Sequence, residues 1–452
     1  SNQLTSFQNV QICPKGTKPD YSEKYYFCSV RKKTMIIHKF GGASLKDAAS
    51  IKKLSDQTAT FSGRAIVVVS AIGKTTNALE NLVALAYAEN KKWQAALNRI
   101  ETDHLRITDA LFSSRECPAA KEIQHLFNQL RDYVDSDIHL VYNKLYDGVV
   151  SFGERFSSTI VRHFFHKQHI IVEPISALEI IFTDTTFREA KIDWKKTEAA
   201  VKKRITSRHK LYITEGFIGS NGYGIPTTLG REGSDFSAAI LGNILNAKEV
   251  RIWKDVDGLY NADPKQFPEA ILLPRVSYRE CVELGYYGAR VIHPRTILPL
   301  QRKSIPLYIQ SFLHPERQGT LICSHTTEVV AIPCFIIKNN QCLITLTPLN
   351  LGFMAEEYVE EIIGVLKTHG IRVNLLQSSA VNLTVCFDYD AYRFVPLRRE
   401  LEKGFELRFN TGLELLTISN YNEECLVSAM AGKKILLTQK SRRIIRMVYI
   451  NP

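Results

Sequence analysis

Five apolar residues in a row, Ala65-Ile66-Val67-Val68-Val69, stand between Arg64 and Ser70. A short β-branched run of that kind reads as a strand covered on both faces, because a strand with one wet face would alternate apolar and polar positions. Met35-Ile36-Ile37-His38-Lys39-Phe40, Ile170-Ile171-Val172, Lys210-Leu211-Tyr212-Ile213-Thr214 and Glu249-Val250-Arg251-Ile252-Trp253 read as further strands. Stretches of helical period separate them, the longest over residues 77–147, and a short helix is expected through 45–51. Strand–helix alternation over about 290 residues predicts an α/β core, a mostly parallel sheet with helices on both faces.

The pattern changes after residue 330. Cys342–Leu346 predicts a strand, Phe353–His369 a helix, and Arg372–Leu376 and Leu383–Phe387 two more strands. A weaker copy follows, with strands at 414–418, 434–438 and 444–450 and a helix over Asn422–Met430. Two short βαββ-like units in tandem, neither long enough to stand alone, predict small ligand-sensing modules whose strands interleave. Residues 1–34 carry no clear period and read as an extension. The expected division is therefore an extension 1–34, an α/β core 35–325 and tandem ligand-sensing modules 326–452.

Composition narrows the function classes. The 452 residues are 45% hydrophobic and 23% charged, as in soluble globular proteins. No apolar run approaches the roughly 20 residues that cross a bilayer, and the first residues lack the basic start and apolar core of a secretory signal. Nine cysteines are scattered without a C-x-x-C pair, which predicts reduced thiols and a cytoplasmic setting rather than disulfides or zinc. The net charge of +12 raises the question of nucleic acid. Its densest runs, Arg31-Lys32-Lys33 and Lys440-Ser441-Arg442-Arg443, lie far apart without interleaved aromatics, so no nucleic-acid partner is expected.

Candidate chemistry sits where strands end. Lys39-Phe40-Gly41-Gly42-Ala43-Ser44 turns the first strand into a helix; two glycines let backbone N–H groups approach a phosphate, and Lys39 is placed to reach it. The same residues also suit an ordinary tight turn. Ser70-Ala71-Ile72-Gly73-Lys74-Thr75 lacks the earlier glycine of a P-loop. Its hydroxyls, with Thr76, stand at a usual ligand location or simply cap the next helix. Glu154, in Ser151-Phe152-Gly153-Glu154, suits either a substrate ammonium or a capping role. The stretch Gly216–Asp235 joins a hairpin tip, Gly222-Tyr223-Gly224-Ile225-Pro226, to a glycine-lined helix start before Phe236. There a second phosphate contact is favoured over a plain turn. Trp253–Pro264 is a carboxylate-rich loop in which Tyr260 could border a base or ribose; it lacks the frame of an EF-hand, so calcium is not expected.

These segments resemble the aspartate kinases of the amino-acid-kinase family. The resemblance is carried by KFGGAS (39–44), VVVSAIGKTTN (67–77), SFGERFS (151–157), ITEGFIGSNGYGIPTTLGREGSDFSAA (213–239), IWKDVDGLYNADPK (252–265) and GYYGARVIHPRTILP (285–299). Residues 351–355, 378–388 and 432–443 resemble paired ACT domains. The resemblance implies a carbamate-kinase-like α/β sandwich followed by α+β, ferredoxin-like ACT domains. It implies transfer of the ATP γ-phosphoryl group to the β-carboxylate of L-aspartate, with Mg²⁺ accompanying ATP, as the first step toward lysine, threonine and methionine.

Residue by residue, the resemblance implies that Lys39 stabilises the transferring phosphoryl group and that Asp235 helps orient Lys39 and the phosphate donors. Ser70, Thr76 and Glu154 would hold aspartate. Gly41, Gly42, Lys254, Asp255, Tyr260, Lys265 and Arg290 would line the nucleotide site. Gly352, Phe353, Met354, Ala355 and Asn382 would contact an amino-acid effector, lysine or threonine, at a homodimer interface between ACT domains. The sequence departs from the pattern at Ala43 (usually threonine), Lys254 (commonly threonine), Glu232 (glycine) and Arg290 (often lysine). Glu189 stands opposite an arginine that some members use for the substrate α-carboxylate, with Arg188 adjacent. The chain ends after the ACT tail, which points to the monofunctional type. Two alternatives remain at this stage, a catalytically weak ACT-based sensor and a sister kinase with another carboxylate substrate.

Overall fold

The computed structural model describes residues 35–114, 116–136, 141–288, 292–324, 332–350 and 352–450. The expected extension 1–34, the boundary at 325/326 and Arg290 lie outside the described residues.

The apolar runs become strands β1 (Met35–Phe40), β2 (Arg64–Val69), β3 (Glu173–Ile175) and β4 (Leu211–Glu215). A hairpin of β5 (Ile218–Ser220) and β6 (Pro226–Thr228) follows. Then come β7 (Glu249–Lys254), β8 (Arg275–Ser277), β9 (Leu307–Ser311) and β10 (Thr320–Cys323). All but the hairpin form one sheet in the order β3-β4-β2-β1-β7-β9-β10-β8, in which only the β9–β10 pair is antiparallel. Ile37, Phe40, Ile66, Val67, Val68, Val69, Val250 and Ile252 are fully buried, as strands covered on both faces must be.

The order of the strands locates the ligand cleft. From β1 the chain builds outward through β2 toward β3 and β4 on one side, then returns to lay β7 on the other. In open α/β sheets the carboxyl ends at such a switch point leave a crevice, because the connections diverge to opposite faces. Lys39 and Phe40 pair here with Ile252 and Trp253.

Several predicted elements shift. The run Ile170–Val172 is not a strand, and Ile171 is 88% exposed. His169 takes a left-handed φ of 59° and the Ile170 amide donates to the Phe165 carbonyl, so these residues close the preceding helix and the strand begins at Glu173. The long helical stretch is broken into Thr75–Tyr87, Lys92–Phe112, Pro118–Asp135 and Tyr142–Val150. The early helix is a 3₁₀ turn, Gly42–Leu45, followed by Ala48–Ala59. The helix expected from Phe236 starts at Gly233, which puts Asp235 in its first turn.

The second sheet contains β11 (Cys334–Pro348), β12 (Val373–Ser378), β13 (Leu383–Asp388), β14 (Phe405–Ser419), β15 (Lys434–Lys440) and β16 (Ile444–Ile450). Its order is β12-β13-β11-β14-β16-β15, with every pair antiparallel. The two βαββ-like units are interleaved through β11 and β14, each 15 residues long. Residues 341–348 of β11 pair with 405–413 of β14 in the first unit, and 334–338 with 415–419 in the second. Helices Glu356–Thr368 and Ala391–Leu401 pack on the first unit, and Glu423–Met430 belongs to the second. Both sheets belong to one compact unit. Among the described residues no helix is long and apolar enough to cross a membrane.

Candidate active site

Lys39 sits one residue before the end of β1, and its Nζ lies 2.6 Å from Oδ1 of Asp235. Lys254, the last residue of β7, brings its Nζ to 3.2 Å from Oδ2 of the same carboxylate. Asp235 is 2% exposed. Burial works against its charge, but Lys254 and Lys39 together hold it below the ordinary carboxylate range. Burial likewise opposes the charge on Lys254, and Asp235 outweighs it to raise that ammonium above its usual value. One carboxylate thus fixes two cations at the switch point.

Gly41 and Gly42 follow Lys39 directly. A Cβ on Gly42 would lie 2.8 Å from the carbonyl oxygens of both Ala71 and Gly73, so only glycine lets the two loops meet. The Gly73 amide donates to the Gly42 carbonyl at 3.0 Å. These contacts bring the 39–44 turn against the loop carrying Ser70, whose backbone amide donates to the Phe40 carbonyl at 3.2 Å. Thr76 is half-buried at the start of helix Thr75–Tyr87.

Glu154 lies in the first turn of helix Phe152–Lys167 and reaches the same loop, its Oε1 accepting from the Ala71 amide at 3.1 Å. Oε2 is buried with no hydrogen-bond partner, and the residue is 3% exposed. Burial pushes its carboxyl up to about 8, although the Ala71 amide and Lys39 pull it down. A buried acid with one idle oxygen is suited to receive a cationic group, which would restore its charge. The structure therefore brings together Lys39, Gly41, Gly42, Ser70, Glu154, Asp235 and Lys254.

The nucleotide candidates lie farther along one loop. Asp255 and Lys265 are exposed, and Tyr260, half-buried, pairs across an isolated bridge with Leu272. The effector candidates form a separate group. Met354 donates its amide to the Ala380 carbonyl at 2.8 Å, the Gly352 amide donates to Asn350, and Asn382 Oδ1 accepts from Thr347 at 2.6 Å. Phe353 is 77% exposed. Met354 packs against the apolar core of the first unit, and Ala355 stands just before helix Glu356–Thr368 without a side-chain capping bond.

Sequence reading missed Asp147 and Glu215. Asp147 is fully buried and takes hydrogen bonds from Arg188 and Thr228; burial pushes it up to about 6 despite those donors. Glu215, at the end of β4, accepts from Ser158 Oγ at 2.8 Å and from the Ala177 amide at 2.7 Å. The available signal for Asp147 was a lone carboxylate in the apolar-rich helix seven residues before Glu154.

A family model described as the amino acid kinase family matches residues 34–311. The chain belongs to that family. Lysine-sensitive aspartokinase 3 of Escherichia coli (strain K12) is 30% identical over 364 residues, 78% of each protein. The crystal structure of E. coli aspartokinase III in complex with lysine and aspartate, in the T-state, matches with a TM-score of 0.79 at 27% identity, covering 92% of this chain and 95% of that one. The R-state structure of the same enzyme with aspartate and ADP matches with a TM-score of 0.77 at 26% identity, covering 92% and 96%. Within its family the chain stands among the aspartokinases. It spans 45% of the length of the bifunctional aspartokinase/homoserine dehydrogenase 2 of Arabidopsis thaliana, to which it is 28% identical over 421 residues, 89% of this chain.

Proposed function

We propose that this chain transfers the γ-phosphoryl group of ATP to the β-carboxylate of L-aspartate. The observation that carries the reading is the Lys39–Asp235–Lys254 cluster at the switch point between β1 and β7. Phosphoryl transfer asks mainly for positioning and for charge stabilisation on the equatorial oxygens. Lys39, locked in place by Asp235, supplies a cation that needs no reorganisation during the reaction. The Gly41 and Gly42 backbone cradles phosphates, and Lys254 flanks them from β7. A free β-carboxylate has a pKa of about 3.9 and is already ionised at neutral pH, so no general base is needed.

Aspartate is oriented by Glu154 at its ammonium, with the hydroxyls of Ser70 and Thr76 beside it. Asp255, Tyr260, Lys265 and Arg290 border the nucleotide. Mg²⁺ would arrive on the phosphates of ATP, the way it commonly binds at phosphoryl-transfer sites. When bound, it neutralises phosphate charge.

Residues 35–325 act as the catalytic part and 326–452 as the regulatory part. A lysine or threonine effector binds near Gly352–Ala355 and Asn382 in a cytoplasmic homodimer. The E. coli relative described as lysine-sensitive supports this regulatory reading.

The test is aspartyl hydroxamate formation from aspartate, ATP, Mg²⁺ and hydroxylamine, with wild type beside Lys39→Ala. Aspartate-dependent product that falls at least about a hundredfold in the variant supports the reading. Folded wild-type protein that gives no product overturns it in favour of an amino-acid sensor.

A further inference from the structure

The carboxylate of Asp147 is fully buried, yet the kinase chemistry above makes no use of it. Its two oxygens accept four contacts. The Arg188 amide approaches both at 3.0 Å, the Thr228 amide donates to Oδ2 at 2.8 Å, and the Thr228 hydroxyl donates to Oδ1 at 2.7 Å. These donors come from two segments remote in sequence, the loop after Ile180 and the hairpin strand β6. Burying a carboxylate costs several kcal/mol after relaxation, so a group that stays there must be held by its donors.

The carboxylate joins the helix that leads to Glu154 with the strand that leads to Asp235. Asp147 belongs to helix Tyr142–Val150, which passes through Ser151 straight into the helix carrying Glu154. Thr228 leads through Leu229 into the turn Gly230-Arg231-Glu232 and then to the helix whose first turn contains Asp235. Arg188 holds a left-handed φ of 69°, which a non-glycine residue keeps only when its surroundings enforce it. Its carbonyl oxygen and the Glu189 Cγ lie 3.1 and 3.0 Å from where a Cβ on Gly230 would stand. The Ala190 amide donates to the Thr228 carbonyl at 3.0 Å, and Arg295 holds the Leu229 carbonyl at 3.2 Å. The Arg188 guanidinium stacks 4.5 Å from the Tyr146 ring, on the same helix as Asp147. The Gly230–Glu232 turn is thus boxed in by a loop whose conformation Asp147 sets.

We infer that Asp147 is the positioning residue of the acceptor pocket, fixing the Gly230–Glu232 turn relative to Glu154. This rests on the aspartate kinase reading. The four hydrogen bonds of Asp147 run to Arg188 and Thr228 and none reaches the nucleotide loop, which meets the braced turn through the Lys254–Asp235 pair. Loosening the brace should therefore weaken capture of aspartate more than capture of ATP.

Asp147→Asn separates bracing from bulk. An amide keeps the volume and can accept through one oxygen, but its NH₂ would face the donors that now meet Oδ2. The hydroxamate assay on the full chain, with aspartate and ATP varied in turn, is the experiment, with Asp147→Glu as the attempted rescue. The expected result is a KM for aspartate raised about tenfold or more, a KM for ATP within about twofold of wild type, and partial recovery in Asp147→Glu. Thermal denaturation of the same samples checks that the Asp147→Asn variant remains folded. An active wild type with an unchanged aspartate KM in Asp147→Asn overturns this inference alone. Parallel rises in both KM values reduce Asp147 to a general structural role and also overturn it. A wild type without aspartate-dependent product overturns the kinase reading, and this inference with it.

Discussion

Glu154 offers the sharpest consequence at the scale of single residues. In the free protein its carboxyl is held up to about 8, so at neutral pH it carries a proton that an incoming ammonium must expel. Apparent affinity for aspartate should accordingly rise as pH rises toward about 8 and level off above it. Steady-state kinetics at fixed ionic strength would show the KM for aspartate falling over that interval. Glu154→Gln should raise the KM and flatten its pH dependence. Much of this site was legible in the sequence because each motif is a local device: a strand end, two glycines, a helix start. Asp147 was not legible, since its donors, Arg188 and Thr228, lie 41 and 81 residues away. The positive φ of Arg188 was equally hidden, because nothing in an arginine's chemistry asks for it.

Elements carry the next level of argument, and the loop after β7 is the instructive one. Asn261 sits within the proposed nucleotide loop, yet its carbonyl accepts from the Phe335 amide at 2.6 Å and its side-chain NH₂ donates to the Pro333 carbonyl at 3.0 Å. Its Oδ1 also receives the Ile271 amide at 2.8 Å. The loop is therefore tied to the first residues of β11. Asn261→Ala should raise the KM for ATP by up to about thirtyfold and leave the KM for aspartate near wild type, as initial-rate kinetics would show; loss of two hydrogen bonds of about 1 kcal/mol each sets that upper scale. The buried strands were readable from their β-branched runs, whereas Ile170–Val172 misled because a helix-closing turn can be as apolar as a strand. The merging of two units into one six-stranded sheet was readable only as an expectation of interleaving. Pairing between residues some 70 positions apart leaves no local mark.

At the scale of the whole molecule, the second sheet carries a helix with exposed apolar side chains. Helix Glu423–Met430 buries none of its residues fully, and Val427 and Met430 are 75% and 43% exposed. The proposed homodimer would cover these side chains. Sedimentation velocity should find the chain as a dimer, and Val427→Glu should shift it toward monomer at micromolar concentration. An unchanged mass in the variant would place the contact elsewhere.

The shared strands also bear on how the chain is made. β11 ends at Pro348 and β14 begins at Phe405, so 56 residues separate partners that run side by side for most of their length. At about 5–20 residues per second of synthesis, the central strand of the regulatory sheet waits roughly 3–11 seconds beside the ribosome for its neighbour. Throughout that wait an edge of unpaired backbone N–H and C=O groups lies open to the wrong partner. The interleaving that lets two small units share one sheet also makes the nascent chain a natural client for a chaperone that shields unpaired strands.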